Sequence, residues 1–433
     1  MNFPRLPESA RATKGKSRGA GAANELDAAM DSQSASEISA LGRDENSTDV
    51  ALTMSFAAEG DPGAQAMIGY LYLVGQGVEQ DDVEAERWLW RAAMQGSAGA
   101  AANLGWMHEN GRGVERDDGE AAKWYRQAAE LGAAEAQTNL GWMYERGCGV
   151  SQDDAEAVKW FRCAATQGDA HAQNALGFMY ENGRGVPQDF VEAGKWYRRA
   201  AEQGLADAQN NLGTMYEDGR GVDQDSFEAI DWFRCAAEQG DALAENNLAV
   251  MHAAGRGTPQ DFDEAAKWYR RAAEQGQASA QYSLGLMCRH GCGVTQNDAD
   301  AAHWYRRAAE QGYCPAQTAL GLMHWHGRGV PQDHAEAVLW FQSAAAQGDP
   351  HAQNILGLMY GVGKGVKRDY VVAYMWATIS RLQGEEDGLG WRRLLAGRMT
   401  LTQLSEAKRL AQIEWARKQL HSASAMQGNQ IPA

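Results

Sequence analysis

Apolar and polar positions follow a pattern along most of the chain that returns every 36 residues. A Gly-x-Gly tripeptide begins at nine positions with this spacing: Gly75, Gly111, Gly147, Gly183, Gly219, Gly255, Gly291, Gly327 and Gly363. One tryptophan follows each tripeptide at a constant offset, from Trp88 to Trp376. Self-similarity at a fixed period of this length is the signature of a repeat architecture. The sequence therefore predicts nine equivalent structural units.

The first half of each unit is predicted to be an amphipathic helix, as residues 133–168 illustrate. Leu140, Met143 and Tyr144 have the spacing that places apolar side chains on one face of a helix. The tripeptide that begins at Gly147 then ends this helix, because glycine adopts the positive φ that closes a helix C-terminus.

The second half of the unit is predicted to be another helix, which begins at Asp153. Asp153 and Glu156 have the spacing of a capping box. We expect Trp160 to be the main buried side chain of this helix, because tryptophan buries a large apolar area. Gly168 ends the helix, so each unit consists of a helix, a loop, a second helix and a turn.

A single helical hairpin cannot bury its apolar face alone, so the units must stack. The predicted fold class is all-α: a right-handed α/α superhelical solenoid of nine 36-residue helix-loop-helix repeats with helical caps. The predicted segments are a disordered N-terminal tail (1–44), a degenerate N-terminal capping helix (45–60), the repeat solenoid (61–384), C-terminal capping helices (385–420) and a disordered tail (421–433). Leu52 occupies the tryptophan position of the N-terminal cap, and Thr400 with Gln403 forms a second capping box.

Composition excludes several classes of function. The chain carries 57 acidic and 40 basic side chains, a formal net charge of −17, which repels a phosphate backbone and predicts no nucleic-acid partner. No apolar run is long enough to insert in a membrane and no secretory signal is evident, so a cytoplasmic location is expected. The six cysteines are scattered and fit reduced thiols better than a disulfide framework.

The sequence predicts neither catalysis nor a cofactor. Catalysis needs unique convergent side chains, whereas nearly every notable residue here has a copy 36 positions away. A cluster of possible zinc ligands interrupts this regularity: Cys288, His290, Cys292, His324 and His326. His108 and His252 occupy the same register without cysteine partners, so substitution in the core and loops accounts for the cluster better than a metal site does.

One variable position of the first helix is aromatic in the N-terminal half of the chain and aliphatic later. We call Trp106, Trp142 and Phe178 the aromatic row. Three residues further along the same helices lie Glu109, Glu145 and Glu181, the acidic row. If the first helices line a concave surface, the two rows form a groove for a basic or amphipathic peptide. Packing between repeats also explains the aromatic row and is the interpretation that we favour slightly, and both interpretations stay open.

Asparagines recur at another position, at the margin of the apolar stripe. The asparagine row consists of Asn103, Asn139, Asn211 and Asn247. These side chains could hydrogen-bond the backbone of an extended ligand, or they could link neighbouring helices in a ladder.

The repeat reads Ala-Gln-x-x-Leu-Gly-x-Met-Tyr-x-x-Gly-x-Gly-Val-x-x-Asp-x-x-Glu-Ala-x-x-Trp-Tyr-x-x-Ala-Ala-x-x-Gly, with small changes, in residues 136–168. This unit resembles the Sel-one-like repeat (SLR) family, a TPR-like class of α-solenoid, over about residues 50–384. The C-terminal segment looks like the end of bacterial members. The resemblance implies a non-enzymatic adaptor or scaffold for protein complexes, in signalling, envelope processes or host interaction.

Three functions follow from these observations. The first is a bacterial cytoplasmic adaptor that binds a protein or peptide on the concave face. The second is a translocated effector whose residues 1–44 carry an export signal and whose repeats bind a host protein. The third is a β-lactam-binding hydrolase like the cysteine-rich branch of the family, but that branch has a regular cysteine pair in each repeat, and this chain has none. The oligomeric state is left open.

Overall fold

The structure, a computed structural model, describes residues 46–384 and 388–427. These residues form 21 α-helices and no β-strand. Contacts divide them into two compact units, one that ends at Gln239 and one that begins at Gly240. The predicted tail over residues 1–44 lies outside the described residues.

The N-terminal unit contains eleven helices. They are α1 Asn46–Glu59, α2 Pro62–Val74, α3 Asp82–Met94, α4 Ala98–Asn110, α5 Asp118–Glu130, α6 Ala134–Arg146, α7 Asp154–Thr166, α8 Ala170–Asn182, α9 Phe190–Glu202, α10 Ala206–Asp218 and α11 Ser226–Glu238. Within this unit, each helix packs on its neighbours in the chain. Even-numbered helices are the first helices of repeats, and odd-numbered helices from α3 onward are the second helices.

The C-terminal unit continues the same alternation. Its helices are α12 Ala242–Ala254, α13 Phe262–Glu274, α14 Ala278–His290, α15 Asp298–Glu310, α16 Cys314–His326, α17 His334–Ala346, α18 Pro350–Val362, α19 Tyr370–Leu382, α20 Gly388–Ala396 and α21 Leu401–Gln427. The last two helices both pack on α19. The predicted all-α solenoid of helical hairpins is confirmed.

The core of each repeat differs from the prediction in one respect. The tryptophan is half-buried in eight of the nine repeats, whereas the next residue is fully buried, as Phe161 is beside Trp160. Phe161 lies directly against Gly141 of the first helix, where a Cβ atom would come within 2.5 Å of the ring. The expectation that the tryptophan is the main buried side chain is therefore wrong. Because Gly141 has no side chain, the first helix leaves space for the ring of Phe161, the residue that follows the tryptophan.

The turn between the two helices has the predicted glycine geometry. Gly147 has φ 70°, and its backbone N–H donates to the carbonyl of Met143, which closes the first helix. Gly149 has a second role, because a Cβ atom there would overlap the backbone carbonyl of Asp118 in the preceding repeat. The Gly-x-Gly tripeptide thus ends one helix and also lets successive repeats approach closely.

The predicted capping boxes have two different outcomes. Asp153 accepts hydrogen bonds from the backbone N–H groups of Ala155 and Glu156, so it caps the helix. The carboxylate of Glu156 pairs with Lys159 instead, because the Asp153 N–H already donates to the carbonyl of Tyr144. At the last helix the reciprocal bonds do form: Gln403 N–H donates to Thr400 Oγ1 at 3.2 Å, and Thr400 N–H donates to Gln403 Oε1 at 2.9 Å.

The ends of the helical array also differ from the sequence analysis. Leu52 of α1 is 56% exposed, so the residue at the tryptophan position of this helix is not part of the core. Ala57 of α1 and Ile68 of α2 form the buried core at this end instead. Helix α21 continues to Gln427, past the predicted end of the cap at residue 420. No glycine or proline occurs between residues 398 and 427 to stop it.

Buried glutamines tie the two helices of most repeats together, a feature that the sequence analysis missed. In one repeat the Nε2 of Gln167 donates to Oε1 of Gln137 at 2.8 Å, and Gln137 Nε2 donates to the carbonyl of Ala129 at 3.0 Å. The Gln–Gln bond recurs in both units, as in Gln203 to Gln173 and Gln311 to Gln281. The signal for it was the glutamine of each Ala-Gln dipeptide and the glutamine 30 residues later.

Candidate protein-binding face

The aromatic row lies on the first helices of three consecutive repeats in the N-terminal unit. Trp106, Trp142 and Phe178 are all half-buried, and each packs against the core of its repeats. Trp142 meets Phe161 edge to face with ring centroids 5.0 Å apart. The structure thus holds one side of each aromatic ring in the core and leaves part of the ring exposed.

An arginine stacks over each member of the aromatic row. The guanidinium carbon lies 5.3 Å from the ring centroid for Arg112 over Trp106, and 5.2 Å for Arg146 over Trp142. The third pair is Arg184 over Phe178, at 6.0 Å. Cations over aromatic faces are attracted by the ring quadrupole. The exposed part of the row is consequently a series of aromatic–arginine stacks.

The carboxylates of the acidic row form hydrogen bonds and ion pairs with other side chains of the protein. Glu145 pairs with Arg184 at 2.6 Å, and its side chain is 12% exposed. Glu181 is buried and accepts from the hydroxyl of Tyr197 at 2.9 Å, while Arg220 pairs with its other oxygen at 3.1 Å. These arginines come from the turn of the following repeat, so the acidic row links neighbouring repeats.

Glu109 completes the acidic row through a tyrosine. Its Oε2 accepts from the hydroxyl of Tyr125 at 2.8 Å. Burial and the Glu109 carboxylate both raise the pKa of Tyr125, and a hydrogen bond from Asn139 acts in the opposite direction. One member each of the acidic and asparagine rows therefore meets the same buried hydroxyl.

The remaining asparagines have different surroundings. The Nδ2 of Asn211 donates to Oδ1 of Asn174 on the preceding first helix at 3.0 Å. Asn103 is half-buried in α4, and Asn247 is half-buried in α12 of the C-terminal unit. The structure brings Asn139 and Asn211 into the interior hydrogen bonding of the first helices, on the same unit as the aromatic row.

The cysteine and histidine cluster has ordinary packing. Cys288 is buried, and burial raises the pKa of its thiol. His324 Nε2 lies 3.3 Å from the guanidinium of Arg306. Over residues 46–384 and 388–427, no group of three His, Cys, Asp or Glu side chains is placed to hold a metal ion. In the same ranges, no helix is long and apolar enough to cross a bilayer.

The fold and the repeated inter-helix contacts define an α-solenoid repeat protein. The chain belongs to the Sel1 repeat family, whose model matches nine consecutive segments. The segments are 62–97, 98–132, 134–169, 170–205, 206–241, 242–277, 278–313, 314–349 and 350–385. Proteins of this family are commonly scaffolds for protein interactions.

Two solved structures support this assignment. The chain is 32% identical to a protective antigen of uropathogenic Escherichia coli strains that displays an SLR fold, over 89% of this chain and 98% of the antigen, with a TM-score of 0.50. It is 36% identical to a Sel1 repeat protein from Oxalobacter formigenes, over 71% of this chain and 90% of that protein, with a TM-score of 0.57. No curated protein matches the chain.

Proposed function

We propose that this protein is a non-catalytic scaffold that binds a protein or peptide on the first-helix face of its N-terminal unit. One observation carries the proposal: three consecutive repeats present half-buried aromatic rings, each beneath an arginine. Rigid aromatic side chains with arginine neighbours are the residue types that dominate binding energy in protein interfaces. Aliphatic residues replace them at the same position of the C-terminal unit.

The acidic row favours a basic or amphipathic peptide as the ligand. Glu145 and the ring of Phe178 both contact Arg184, which is an internal cation placed between the two rows. A lysine or arginine of the ligand that displaced this guanidinium would gain the same carboxylate and the same aromatic face. Asn103 supplies a half-buried amide group in the same unit for the backbone of an extended ligand, whereas Asn139 and Asn211 bond within the chain.

The cellular role that we propose is that of a bacterial cytoplasmic adaptor, including adaptors in signalling. The related structures from bacteria at 32% and 36% identity support the bacterial assignment. A reporter fused to residues 1–44 distinguishes this role from that of a translocated effector. Retention of the reporter in the producing cell fits the adaptor, whereas export of the reporter favours the effector.

The test of the binding face is quantitative affinity capture with matched variants. Trp106→Glu combined with Trp142→Glu is expected to lose the partner that the wild-type protein captures, while helicity by circular dichroism is retained. Phe227→Glu is the control, since Phe227 is 71% exposed in the same unit but lies outside the aromatic row. Capture of the same partner by the folded double variant contradicts the proposal.

A further inference from the structure

The middle residue of the Gly-x-Gly turn is a cation in six of the nine repeats, and in the N-terminal unit carboxylates of the preceding repeat pair with it. Arg184 pairs with Glu145 and Asp154, at nitrogen–oxygen distances of 2.6 and 2.7 Å. These carboxylates lie 39 and 30 residues before the arginine. Arg112 pairs with Asp82, again 30 residues earlier, at 2.6 Å. The preceding repeat therefore supplies the countercharge of the turn cation from two fixed positions.

Lys364, the turn cation of the last repeat, lacks both of these carboxylates. Trp325 lies 39 residues before it, and His334 lies 30 residues before it. A Cβ atom at Gly365 would overlap the backbone carbonyl of His334, so this turn packs on the preceding repeat as the other turns do. The register between the two repeats is thus unchanged, and only the countercharge of Lys364 is missing.

An aromatic ring lies beside Lys364 in place of the carboxylates. The Nζ of Lys364 is 4.5 Å from the centroid of the Trp325 ring, and the centroids of the Trp325 and His334 rings are 4.8 Å apart. The ring quadrupole of an indole attracts a cation but does not neutralise it. Burial lowers the pKa of His334, and the positive charge of Lys364 lowers it further, while Asp333 opposes the shift. Lys364 is exposed and Trp325 is half-buried, so a ligand in solvent can contact both.

Two further cations belong to the same turn. Lys367 and Arg368 are exposed, and the guanidinium carbon of Arg368 lies 5.5 Å from the centroid of the Tyr370 ring. Over residues 46–384 and 388–427, no carboxylate forms an ion pair with Lys364, Lys367 or Arg368. The adjacent Asp369 accepts from two backbone N–H groups at the start of α19, at 2.8 and 3.1 Å. Three exposed cations thus lie within five residues without an ion-pair partner in the described part of the chain.

Positive charge extends beyond this turn. Arg328 in the turn of the preceding repeat is exposed, and Arg289 occupies the position 39 residues before it, where Arg184 has Glu145. Residues 361–433 carry eleven basic and six acidic side chains, although the formal net charge of the whole chain is −17. A local surplus of one charge attracts ligands of the opposite sign. The end of the C-terminal unit therefore attracts anionic groups that the chain as a whole repels.

We propose that the basic turn, which consists of Trp325, Lys364, Lys367 and Arg368, binds an acidic peptide segment of a partner protein. Carboxylates of that segment form charge-assisted hydrogen bonds with the three exposed cations, as the internal carboxylates do with Arg184. An apolar side chain of the segment packs on the exposed part of Trp325. The assignment rests on the proposed function only in that the repeats bind protein. It concerns the other unit and a ligand of opposite charge.

The charge distribution favours a short acidic peptide over a nucleic acid. A nucleic acid carries a negative charge at every phosphate, so its length beyond the basic turn meets the repulsion of an acidic chain. A peptide can carry its carboxylates in one short stretch, with uncharged residues on either side. A stretch of two or three carboxylates matches the three cations and adds no repulsion elsewhere.

The probe for this site is a fluorescently labelled peptide of three glutamates followed by a phenylalanine. It is titrated with the full chain at low ionic strength and followed by polarisation. Peptides with glutamine or lysine in place of the glutamates are the charge controls. We expect Lys364→Gln combined with Lys367→Gln and Arg368→Gln to weaken binding of the glutamate peptide about tenfold or more.

A matched variant removes the same number of charges elsewhere in the C-terminal unit. It combines Lys267→Gln, Arg409→Gln and Arg417→Gln, whose cations pair with Glu264, Glu406 and Glu414. This variant is expected to bind the glutamate peptide like the wild-type protein. Equal losses in the two triple variants would show that net charge alone attracts the peptide, which overturns the proposal.

A second variant keeps all three cations and restores the internal carboxylates. Trp325→Glu combined with His334→Asp gives the last turn the two residues that Arg184 has at these positions. We expect it to weaken binding of the glutamate peptide about tenfold or more, because Lys364 then has partners within the chain. Thermal unfolding of each variant shows whether it is folded.

Three results overturn the proposal in other ways. Equal binding of the glutamate and glutamine peptides contradicts a site for carboxylates. Unchanged affinity in either folded variant of the basic turn contradicts its location. A tetrathymidylate that binds as tightly as the glutamate peptide overturns the assignment to a peptide.

The two proposals fail independently. The Trp106→Glu and Trp142→Glu double variant is expected to bind the glutamate peptide like the wild-type protein. If that variant retains its captured partner, the N-terminal face is contradicted and the basic turn is not. If the glutamate peptide fails to bind the wild-type chain, the basic turn is contradicted and the N-terminal face is not.

Discussion

At the scale of single residues, the repeat accommodates a carboxylate at a buried position where a guanidinium lies within reach. Glu245 occupies the position that Gln137 and other buried glutamines have in their repeats, and it is fully buried. It accepts from Gln275 Nε2 at 2.8 Å and pairs with the Nε of Arg271 at 2.8 Å. Burial raises the pKa of Glu245, and Arg271 opposes that shift.

The raised pKa gives Glu245→Gln a pH-dependent effect. A carboxyl whose pKa is higher in the folded state contributes most to stability below its unfolded pKa, and that contribution is lost as the pH rises through the folded pKa. We expect the free energy of unfolding of the variant, minus that of the wild type, to increase from pH 4 to pH 7. Urea unfolding of both proteins across this range measures it. A difference that is independent of pH contradicts the assignment.

Alanine variants of the neighbouring residues Trp160 and Phe161 show whether burial or side-chain size determines the loss of unfolding free energy. Phe161 is fully buried against Gly141, so Phe161→Ala is expected to cost about 3–5 kcal/mol of unfolding free energy. Trp160 is half-buried, and Trp160→Ala is expected to cost less, although tryptophan is the larger residue. Chemical denaturation of the two variants provides the comparison. A larger loss for Trp160→Ala would restore the tryptophan as the main buried side chain.

At the scale of helices, a glycine in the middle of eight of the nine first helices sets how closely the hairpin packs, and α12 has Ala249 at that position. Gly141→Ala would place a methyl group 2.5 Å from the Phe161 ring, and we expect a loss of about 1–3 kcal/mol. Gly99 in α4 has no atom within 4 Å of the added Cβ, so Gly99→Ala is expected to stabilise by about 0.5–1 kcal/mol. A lower melting temperature for Gly141→Ala and a higher one for Gly99→Ala would confirm that the space beside each glycine determines the effect. Shifts in the same direction would contradict it.

Periodicity was sufficient to predict the helices and their turns. The Gly-x-Gly spacing and the aspartate or asparagine before each second helix are local signals, and Gly147 and Asp153 have the predicted roles. Which of two adjacent aromatic residues points inward is not local, because it depends on where the first helix leaves room. Periodicity alone therefore favoured Trp160 over Phe161.

The candidate site was predictable only in part for a related reason. The aromatic and acidic rows were visible as columns in the repeat, but the partner of Glu145 is Arg184, 39 residues later in the next repeat. Contacts of this kind depend on the register between stacked hairpins, which a 36-residue period does not define.

At the scale of the whole molecule, the two units use one repeat for different surface chemistry. The N-terminal unit has aromatic rings and carboxylates in the registers where the C-terminal unit has aliphatic residues, Ala253, Arg289 and Trp325. Each unit keeps the same helices, turns and buried aromatic positions. A regular core of this kind lets the side chains of the first helices differ between repeats while the helical hairpins are kept.

The central claim, that the aromatic row is a binding face, is tested most directly by the affinity of the captured partner for two purified proteins. These are the wild-type chain and the Trp106→Glu, Trp142→Glu double variant, compared by calorimetry at matched salt. Loss of two interface aromatics predicts a weakening of at least about 2 kcal/mol, roughly thirtyfold in Kd, with unchanged helicity. Equal Kd values for the two folded proteins would contradict the claim.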